Sequence, residues 1–429
     1  CTGGRLSPGQ AAVELITIGD ELLLGQLVDT NSAWLGRRLG EEGIRIARRS
    51  TVGDDAAAIR DAVRGALERT GAAICTGGLG PTRDDVTRPA VAELFGRALR
   101  IDDDVLAAIQ ARFAALGREM PANNVIQAEV PDGATVLTNR RGTAPGLALE
   151  DDAGRLVILL PGVPAEMRGL VEEEVVPLLR RRWPVADRPI LYRVVRTTGI
   201  PESTIAERID DLFDAFRPLT IAFLPGFAGV DVRITSWGAL DAEQAVLRLD
   251  EAEAVLRERL DGSVYGTDDD DLAVALGNEL SRRGKTLALA ESCTGGLIGK
   301  RLTDAAGAST FFLGGVVAYA NSIKERLLGV RPDTLAAHGA VSGETATEMA
   351  KGARRAVNAD YAVSVTGIAG PGGGTPEKPV GTVWIGIAGA ELLDARRLQL
   401  RGDREEVRER AAQAALALAW KHVVALEAR

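Results

Sequence analysis

Cysteine and histidine are scarce in this 429-residue chain, which has three cysteines and two histidines. Cys1, Cys75 and Cys293 are too few and too scattered for a disulfide framework or a Cys-x-x-Cys metal site. A histidine-rich metal centre is excluded, and His338 is the single plausible triad histidine, because His422 lies in a predicted terminal helix. Hydrolytic chemistry must therefore take its base from Lys, Asp, Glu, Tyr or a metal-bound water.

Long apolar runs, basic clusters and aromatic residues are also lacking. No apolar run is long enough to span a membrane, and the first residues lack a signal-peptide pattern, so we expect a cytoplasmic protein with a disordered or trimmed start over 1–12. The net charge is −9, and the most basic runs, "GRRL" and "RRRW", are interpreted as solvated helix faces, which weighs against nucleic acid as the main partner. Aromatic residues make up 4% of the chain, so the cores must rely on Leu, Val, Ile and Ala.

The length and the order of predicted elements indicate three domains. Strands alternate with helices over 13–182, which predicts an α/β domain with a parallel sheet and helices on both faces. The prolines of "WPVADRP" (183–189) mark a linker, and 186–265 reads as a small α+β domain of strand, helix, strand and helix. An acidic linker at 266–271, which could also bind a metal, precedes a second α/β domain over 272–429.

The stretch "ALAESCTGGLIGK" predicts a strand, a turn and a helix, with two adjacent candidate nucleophiles, Ser292 and Cys293. Ser292, Cys293 and Thr294 fall at the turn or in the first helical turn, where the unpaired amides of the next residues could hold a developing oxyanion. Gly295 and Gly296 would let a substrate approach the backbone. A capping serine beside a buried cysteine explains the stretch equally well. The stretch alone therefore does not choose between these interpretations.

Two further loops are expected to join this turn at the same edge of the sheet. The segment "AYANSIK" contains Tyr319 and Lys324, and a desolvated lysine could act as the general base, with the tyrosine relaying a proton or orienting it. A surface lysine on a helix is the simpler interpretation. The glycine-rich segment that begins at Thr366 and Gly367 could bind a small anion through its amides, although it has no Walker A sequence.

The motifs "AESCTGGL", "HGAVSxExAxxMA", "TGIAGPGGGTPEKPVGTVW" and "GDRxxVR" resemble the nicotinamide-mononucleotide deamidase family of CinA C-terminal domains over about 150 residues. The resemblance implies hydrolysis of the nicotinamide amide without a cofactor, with Ser292 as nucleophile, Lys324 as base and Tyr319 assisting. It also implies nucleotide binding by Thr294, Gly295, Gly296, Thr366, Gly367, Gly370, Gly372 and Arg404.

Acidic pairs follow two strands of the first domain. Asp20 and Glu21 follow one strand, and Asp84 and Asp85 are expected at the start of the helix after the glycine loop "TGGLGPTRDD". Hard oxygen ligands beside an anion-binding loop predict Mg²⁺ or a similar divalent ion that bridges phosphates. Helix capping and a tight turn are the simpler interpretation. The predicted nucleotide-binding residues here are Gly77, Gly78, Gly80, Thr82 and Asn31, where Asn31 or Ser32 is also the expected N-cap of its helix.

These loops, with "RGTAPG" and "LPGVPAEM", resemble the molybdopterin-binding-like domain of CinA proteins over about 160 residues. The resemblance implies metal-dependent hydrolysis of ADP-ribose to AMP and ribose 5-phosphate, a KH-like middle domain by position, and a homodimer. The implied fold is two three-layer α/β domains joined by a small α+β KH-like domain. The main alternative is a protein that binds a pterin or a nucleotide, has a role in competence or DNA damage, and has no catalysis in the first domain.

Overall fold

The computed structural model describes residues 11–183, 188–226 and 229–424. The chain divides into two compact units. One comprises the chain up to Leu191 together with Ser236–Val246, and the other comprises Tyr192–Thr235 and the chain from Leu247 onward. Most of the expected linker 183–189 and of the expected disordered start 1–12 lies outside the described residues.

The first domain contains a six-stranded sheet in the order β2-β1-β3-β8-β7-β6, with helices on both faces. β1, β2, β3 and β8 are parallel, whereas β7 pairs antiparallel with both β8 and β6, so the sheet is mixed and the expectation of a purely parallel sheet is wrong here. Its elements are β1 (Ala12–Ile18), α1 (Asp20–Leu23), α2 (Thr30–Glu41), β2 (Arg45–Val52), α3 (Ala56–Thr70), β3 (Ala72–Thr76), α4 (Thr87–Leu94), β4 (Leu99–Ile101), α5 (Asp103–Ala115), β5 (Glu129–Pro131), β6 (Thr135–Leu137), β7 (Gly146–Glu150), β8 (Leu156–Leu160), α6 (Pro164–Leu170) and α7 (Val176–Arg182). A 3-10 helix spans Ala122–Ala128, and a π-helical turn at Val171–Val175 joins α6 to α7.

Local capping explains where these helices begin and end. Asp55 accepts the amide of Ala58 at the start of α3, and Gly71 ends the helix in the left-handed conformation. The N-cap of α2 is Asp29, which accepts the amide of Ser32. The expected caps Asn31 and Ser32 lie inside the helix because an aspartate two residues upstream provides the acceptor.

The middle domain has a four-stranded sheet in the order β10-β11-β9-β12. Two of its strands, β10 and β12, were absent from the expected order of strand, helix, strand and helix. Its elements are β9 (Ile190–Thr197), α8 (Glu202–Ile209), α9 (Leu212–Ala215), β10 (Thr220–Pro225), β11 (Val230–Trp237), α10 (Ala242–Arg259) and β12 (Val264–Thr267).

The last domain contains a five-stranded sheet in the order β14-β13-β15-β16-β17. β13, β14 and β15 are parallel, and β16 and β17 continue the sheet antiparallel. Buried clusters on both faces give it three layers. Its elements are α11 (Leu272–Arg282), β13 (Leu287–Glu291), α12 (Leu297–Thr303), β14 (Phe312–Val317), α13 (Asn321–Leu328), α14 (Pro332–His338), α15 (Gly343–Val357), β15 (Tyr361–Gly367), β16 (Thr382–Ala388), β17 (Leu393–Gln399) and α16 (Arg404–Val424), with a 3-10 turn at Ala308–Thr310.

The acidic run between the middle and last domains is part of ordered structure. Asp270 accepts the amide of Thr267 at the end of β12, and Asp271 accepts the amide of Ala273 as the N-cap of α11. Asp268 also accepts the amide of Val194, so three of the four carboxylates in this run are hydrogen-bonded to the backbone.

Candidate functional sites

The C-terminal site lies where three parallel strands end side by side. β13 is flanked by β14 and β15, so the segments after Glu291, Val317 and Gly367 meet at the carboxyl edge of the sheet. Open α/β sheets bind ligands at such edges. The topology therefore brings the Ser292 turn, the Lys324 helix and the glycine loop together.

Lys324 projects from α13 into the protein and reaches the Ser292 turn. Its side chain is 1% exposed, and its Nζ lies 3.1 Å from Oγ of Ser292. Nζ also donates to the carbonyl oxygens of Ala318 at 2.7 Å and Tyr319 at 3.4 Å. Among the described residues, no carboxylate forms an ion pair with this amine, so its surroundings resemble those of a neutral amine more than those of an ammonium ion.

The three contacts of Lys324 match the bonding capacity of a neutral amine. Burial lowers the pKa of Lys324 below its usual value. A neutral amine has two N–H groups, which the two carbonyls accept, and one lone pair, which then faces the hydroxyl of Ser292. This arrangement can remove the hydroxyl proton and return it later.

Cys293 does not share these contacts. The side chain is buried, and burial raises its pKa to about 11. A thiol in this environment is almost entirely protonated at neutral pH and is a poor nucleophile. Both adjacent side chains are buried, and the hydroxyl of Ser292 is the one that the amine of Lys324 contacts.

Glu291 is a residue of this site that sequence reasoning missed. It is 3% exposed, and its carboxylate accepts the amides of Gly296 at 3.0 Å, Ile298 at 3.2 Å and Gly299 at 2.9 Å. The amides of Gly296, Ile298 and Gly299 at the start of α12 are therefore occupied, and they are not the ones that could stabilise charge at Ser292. A carboxylate just before a helix start, at "AESC", was the available signal.

The Glu291 contacts leave other amides for a substrate. Within the described residues, no carbonyl accepts the amides of Cys293 and Thr294, whereas the amide of Ser292 donates to Val365 and that of Gly295 donates to the carbonyl of Ser292. The two free donors directly follow the nucleophile. The turn itself, rather than the helix, supplies the groups that could hold an oxyanion.

Tyr319 contacts the site in a different way from the one expected. Its carbonyl accepts from Lys324, while its phenol is 61% exposed and accepts from Nη2 of Arg404 at 2.9 Å. Arg404 also donates to the carbonyl of Gly370 at 2.6 Å. Arg404 therefore connects the phenol of Tyr319 with the glycine loop, and the backbone of Tyr319, not its ring, contacts the lysine.

Arg408 is a second residue that sequence reasoning did not single out. It lies one helical turn after Arg404 on α16, is half-buried, and donates to the carbonyl of Thr294 at 2.9 Å. Among the described residues, no carboxylate pairs with either arginine. Two such guanidinium groups beside the nucleophile turn suit a phosphate group.

The remaining predicted C-terminal residues differ in accessibility. Thr294 and Thr366 are buried, and the hydroxyl of Thr366 donates to the carbonyl of Ala340 at 2.7 Å. Gly296 has a φ of 97°, which favours glycine at the turn into α12, and Gly372 is exposed in the glycine loop. Thr366 therefore connects the end of β15 to Ala340, whereas the buried hydroxyl of Thr294 has no partner among the described residues. The exposed glycine backbone is what a ligand could reach.

The N-terminal acids follow three adjacent strands. Asp20 and Glu21 follow β1, Asp54 follows β2, and Asp84 lies in the loop after β3. The amide of Asp20 donates to the carboxylate of Asp54 at 3.1 Å, and the amide of Asp54 donates to the carboxylate of Asp20 at 3.3 Å. Burial raises the pKa of Asp54, and the charges of the other three carboxylates raise it further. Asp54 was missed because β2 ends without a glycine-rich motif.

Asp85 has a structural role in the glycine loop. Its carboxylate accepts the amides of Gly80 at 2.7 Å and Thr82 at 2.8 Å and the hydroxyl of Thr82. Helix α4 begins only at Thr87, so Asp84 and Asp85 precede it instead of starting it. The neighbouring Gly78 has a φ of 65°, and a Cβ there would lie 2.1 Å from the hydroxyl oxygen of Thr87. The loop is thus held in one shape by contacts that only glycine permits.

Asn31 lies at this same edge of the sheet. Its Nδ2 donates to the carbonyl of Gly162 at 2.8 Å and to the hydroxyl of Thr76 at 3.3 Å, and its Oδ1 is buried without a partner among the described residues. Asn31 therefore connects the end of β3 with the loop after β8, beside Gly77, whose amide donates to Leu160.

The acids fit a divalent ion only in part. Within the described ranges, no three His, Cys, Asp or Glu side chains are arranged to hold a metal by themselves. Magnesium commonly binds one or two carboxylates together with substrate phosphates and waters. Asp20, Asp54 and Asp84 could therefore provide one or two ligands to an ion that is shared with a phosphate ligand, whereas Asp85 is occupied by the loop.

Three family models match successive parts of the chain. The probable molybdopterin binding domain matches residues 14–181, the damage-inducible protein CinA KH domain matches 192–266, and the CinA C-terminal domain matches 269–423. Together they cover most of the chain in the order that the resemblance implied.

Relatives match over nearly the whole length. A CinA-like protein from Gemmatimonas aurantiaca is 51% identical, with 94% of each chain covered. A putative competence-damage inducible protein from Symbiobacterium thermophilum is 44% identical, with 96% of this chain and 98% of the relative covered. The chain belongs to the CinA family. The expected resemblance and the α/β fold class with a KH domain are thereby confirmed.

Solved structures of proteins described as competence/damage inducible or CinA match about a third of the chain. The crystal structure of a competence/damage inducible protein from Agrobacterium tumefaciens is 41% identical and covers 34% of this chain and 90% of that chain, with a TM-score of 0.34. Among the described residues of this CinA family member, no helix is long and apolar enough to cross a membrane.

Proposed function

We propose that the C-terminal domain hydrolyses the carboxamide of nicotinamide mononucleotide to nicotinate mononucleotide and ammonia. The observation that carries the proposal is the buried, unpaired amine of Lys324, which lies 3.1 Å from Oγ of Ser292. The family resemblance supplies the substrate. The two carboxylate-free guanidinium groups of Arg404 and Arg408 support a phosphate-bearing ligand.

The first half of the reaction forms an ester. The neutral amine of Lys324 takes the proton of Ser292, and Oγ attacks the amide carbon. The amides of Cys293 and Thr294 hold the oxygen that becomes negatively charged. As the tetrahedral intermediate collapses, the C–N bond breaks and Lys324 returns the proton to the departing ammonia.

The second half releases the acid. A water molecule gives a proton to Lys324 and attacks the ester carbon, and the bond to Oγ breaks as the same proton returns to Ser292. The sum is one amide and one water converted into one carboxylate and one ammonium ion. No cofactor is required in this scheme.

The test is ammonia release from nicotinamide mononucleotide by the full chain. We expect Ser292→Ala to lower kcat by roughly 10³-fold or more. Nicotinamide riboside, which lacks the phosphate, should react with a much higher KM than nicotinamide mononucleotide. In Arg408→Leu, most of this difference in KM between the two substrates should disappear. A Ser292→Ala protein that keeps the wild-type rate would overturn the nucleophile assignment.

We propose as a second activity that the first domain hydrolyses the diphosphate of ADP-ribose to AMP and ribose 5-phosphate with a divalent ion. Asp20, Asp54 and Asp84 lie at the same edge of the sheet, and the pKa of Asp54 is raised by burial and by the neighbouring carboxylates. Both observations support a bound cation at this edge. When bound, the ion would neutralise charge on the phosphates. Asn31 and the Gly77–Gly78 loop would orient the nucleotide.

The test of the second activity is AMP formation from ADP-ribose by the full chain, with and without Mg²⁺. We expect product only with the metal, and a loss of product in Asp84→Ala. If ADP-ribose or a pterin binds stoichiometrically without turnover, the domain is a binding module instead. Sedimentation of the same protein tests the predicted homodimer.

A further inference from the structure

The second unit contains a large cavity away from the catalytic residues. Its volume is about 1020 Å³, and its walls come from the middle domain, from strands β16 and β17, and from the outer face of α16. Ser292, Lys324 and Thr366 do not line it. Pockets of ligand size occur preferentially at contacts between domains.

The charges around this cavity are opposite in sign to those of the whole chain. Four lining residues are cationic, namely Arg208, Arg396, Arg410 and Lys421, and Asp261 is the one acid among the described lining residues. The chain as a whole has a net charge of −9. Arg396 pairs with Asp394 at 3.2 Å, so Arg208 and Lys421 are the cations on which the positive charge of the rim depends.

The interior of the cavity is mainly apolar. Leu398 and Leu400 from the β17 edge and Ala414 and Ala417 from α16 are partly buried and line it. Trp420, also partly buried, provides an aromatic surface beside Lys421. Apolar walls with a few convergent polar groups are typical of small-molecule sites.

We propose that this cavity is a second small-molecule site, which binds an organic anion with an apolar ring and a phosphate or sulfonate-like anionic group. The ring would pack against Leu398, Ala417 and Trp420, and the anionic group would lie among Arg208, Arg410 and Lys421. The site is distinct from the catalytic one but shares α16 with it. Arg408 and Ala417 are nine residues apart, which corresponds to about 14 Å along the helix.

The experiment uses the full chain and two ring-bearing anions, AMP and 8-anilinonaphthalene-1-sulfonate, in calorimetric titrations, with adenosine as the uncharged match for AMP. We expect saturable binding of at least one anion and at least tenfold weaker binding of adenosine. Binding should also change the tryptophan fluorescence, and Trp420→Phe should abolish that change.

Charge-reversal variants of the cationic lining residues test whether the anion binds in this cavity. The double variant Arg208→Glu/Lys421→Glu should weaken anion binding at least tenfold, while Lys351→Glu, an exposed cation on α15, should not. Melting temperature and ammonia release from nicotinamide mononucleotide should stay near wild type in both, because neither variant touches the Ser292 site. Failure of both anions to bind, or equal binding by the double variant, would overturn the proposal.

Discussion

The Ser292–Lys324 pair and the acidic cluster of the first domain both lie at the carboxyl ends of parallel strands, yet their surroundings differ. Lys324 is buried, and its three polar contacts are all provided by protein atoms. Asp20 and Asp84 are exposed, and the acids around Asp54 raise its pKa instead of balancing it.

The difference matches what each proposed activity would require. A lysine base works only when water is excluded from it, so its environment must be complete in the protein itself. A metal ion that binds a diphosphate takes some of its ligands from the substrate. The protein therefore supplies only part of the ligand set, and these ligands are negatively charged. Protein atoms alone therefore define the first site more fully than the second.

The largest expected effect is the loss of the base. Lys324→Met keeps much of the volume and removes the amine, and we expect kcat for ammonia release to fall by roughly 10²–10⁴-fold. Lys351→Met is the matched control at an exposed position. A Lys324→Met enzyme within threefold of wild type would mean that the buried amine is structural.

The proposed metal site of the first domain is tested at Asp54. Asp54→Asn removes one charge from the acidic cluster at nearly constant shape, and we expect AMP formation from ADP-ribose to fall by about 100-fold at fixed Mg²⁺. Asp61→Asn, an exposed aspartate on α3, should have no effect. Isothermal titration of Mg²⁺ with a non-hydrolysed ADP-ribose analogue should show weaker metal binding. Unchanged metal affinity together with unchanged turnover would exclude Asp54 from the site.

Glu291→Gln tests whether the carboxylate of Glu291 positions the turn that follows Ser292. The glutamine amide would face at least one of the backbone N–H groups that both carboxylate oxygens now accept, so the free amides after Ser292 should shift. We expect kcat to fall by roughly 10–100-fold with a smaller change in KM, since the loss is in transition-state stabilisation. Glu207→Gln, which is exposed, is the control. A lower melting temperature with unchanged kcat would indicate a purely structural role.

The pH profile should report the same lysine. Burial lowers the pKa of Lys324, and the base is active only when neutral, so kcat/KM should rise with pH through that pKa and level off below about 10.4, the usual lysine value. Stopped assays across pH 5 to 10 would measure the midpoint. A rate that falls over this range would contradict a lysine base.

The smallest expected effect is that of Cys293→Ala. The thiol is buried with its pKa raised to about 11, and it makes no contact that the mechanism uses, so kcat should stay within about threefold of wild type. The midpoint of the pH profile should also stay in place. A large loss of kcat with a normally folded protein would reopen the choice between the two neighbouring residues.

Sequence reasoning was most accurate where a motif is continuous along the chain. Strand-helix alternation predicted the α/β domains, and the family motifs predicted the family and the pairing of Ser292 with Lys324. Strand direction was less accessible, because β7 and β16 are as apolar as the parallel strands, and nothing local distinguishes them. The strands β10 and β12 of the middle domain and the polar edge strand β17 of the last domain were absent from the predicted order.

Residues whose role depends on where the side chain points, rather than on the residue type, were also missed. Glu291 and Asp85 are both acids next to glycine-rich turns, and both accept backbone amides, although one was overlooked and the other was expected to bind metal. A carboxylate in such a turn can point to solvent, to an ion or to its own loop. Only the fold decides which, because the distance to the amides depends on the turn.

The sequence by itself determined the family, the domain order and the scarcity of histidine that directed attention to lysine as a base, because these depend on residue type and order. The tertiary structure decided that Lys324 is buried against Ser292, that Tyr319 contributes its carbonyl, that the helix amides belong to Glu291 and that Asp54 joins the acidic cluster. Burial and hydrogen-bond partners arise from segments far apart in the chain, and these surroundings, rather than the residues alone, set protonation and reactivity.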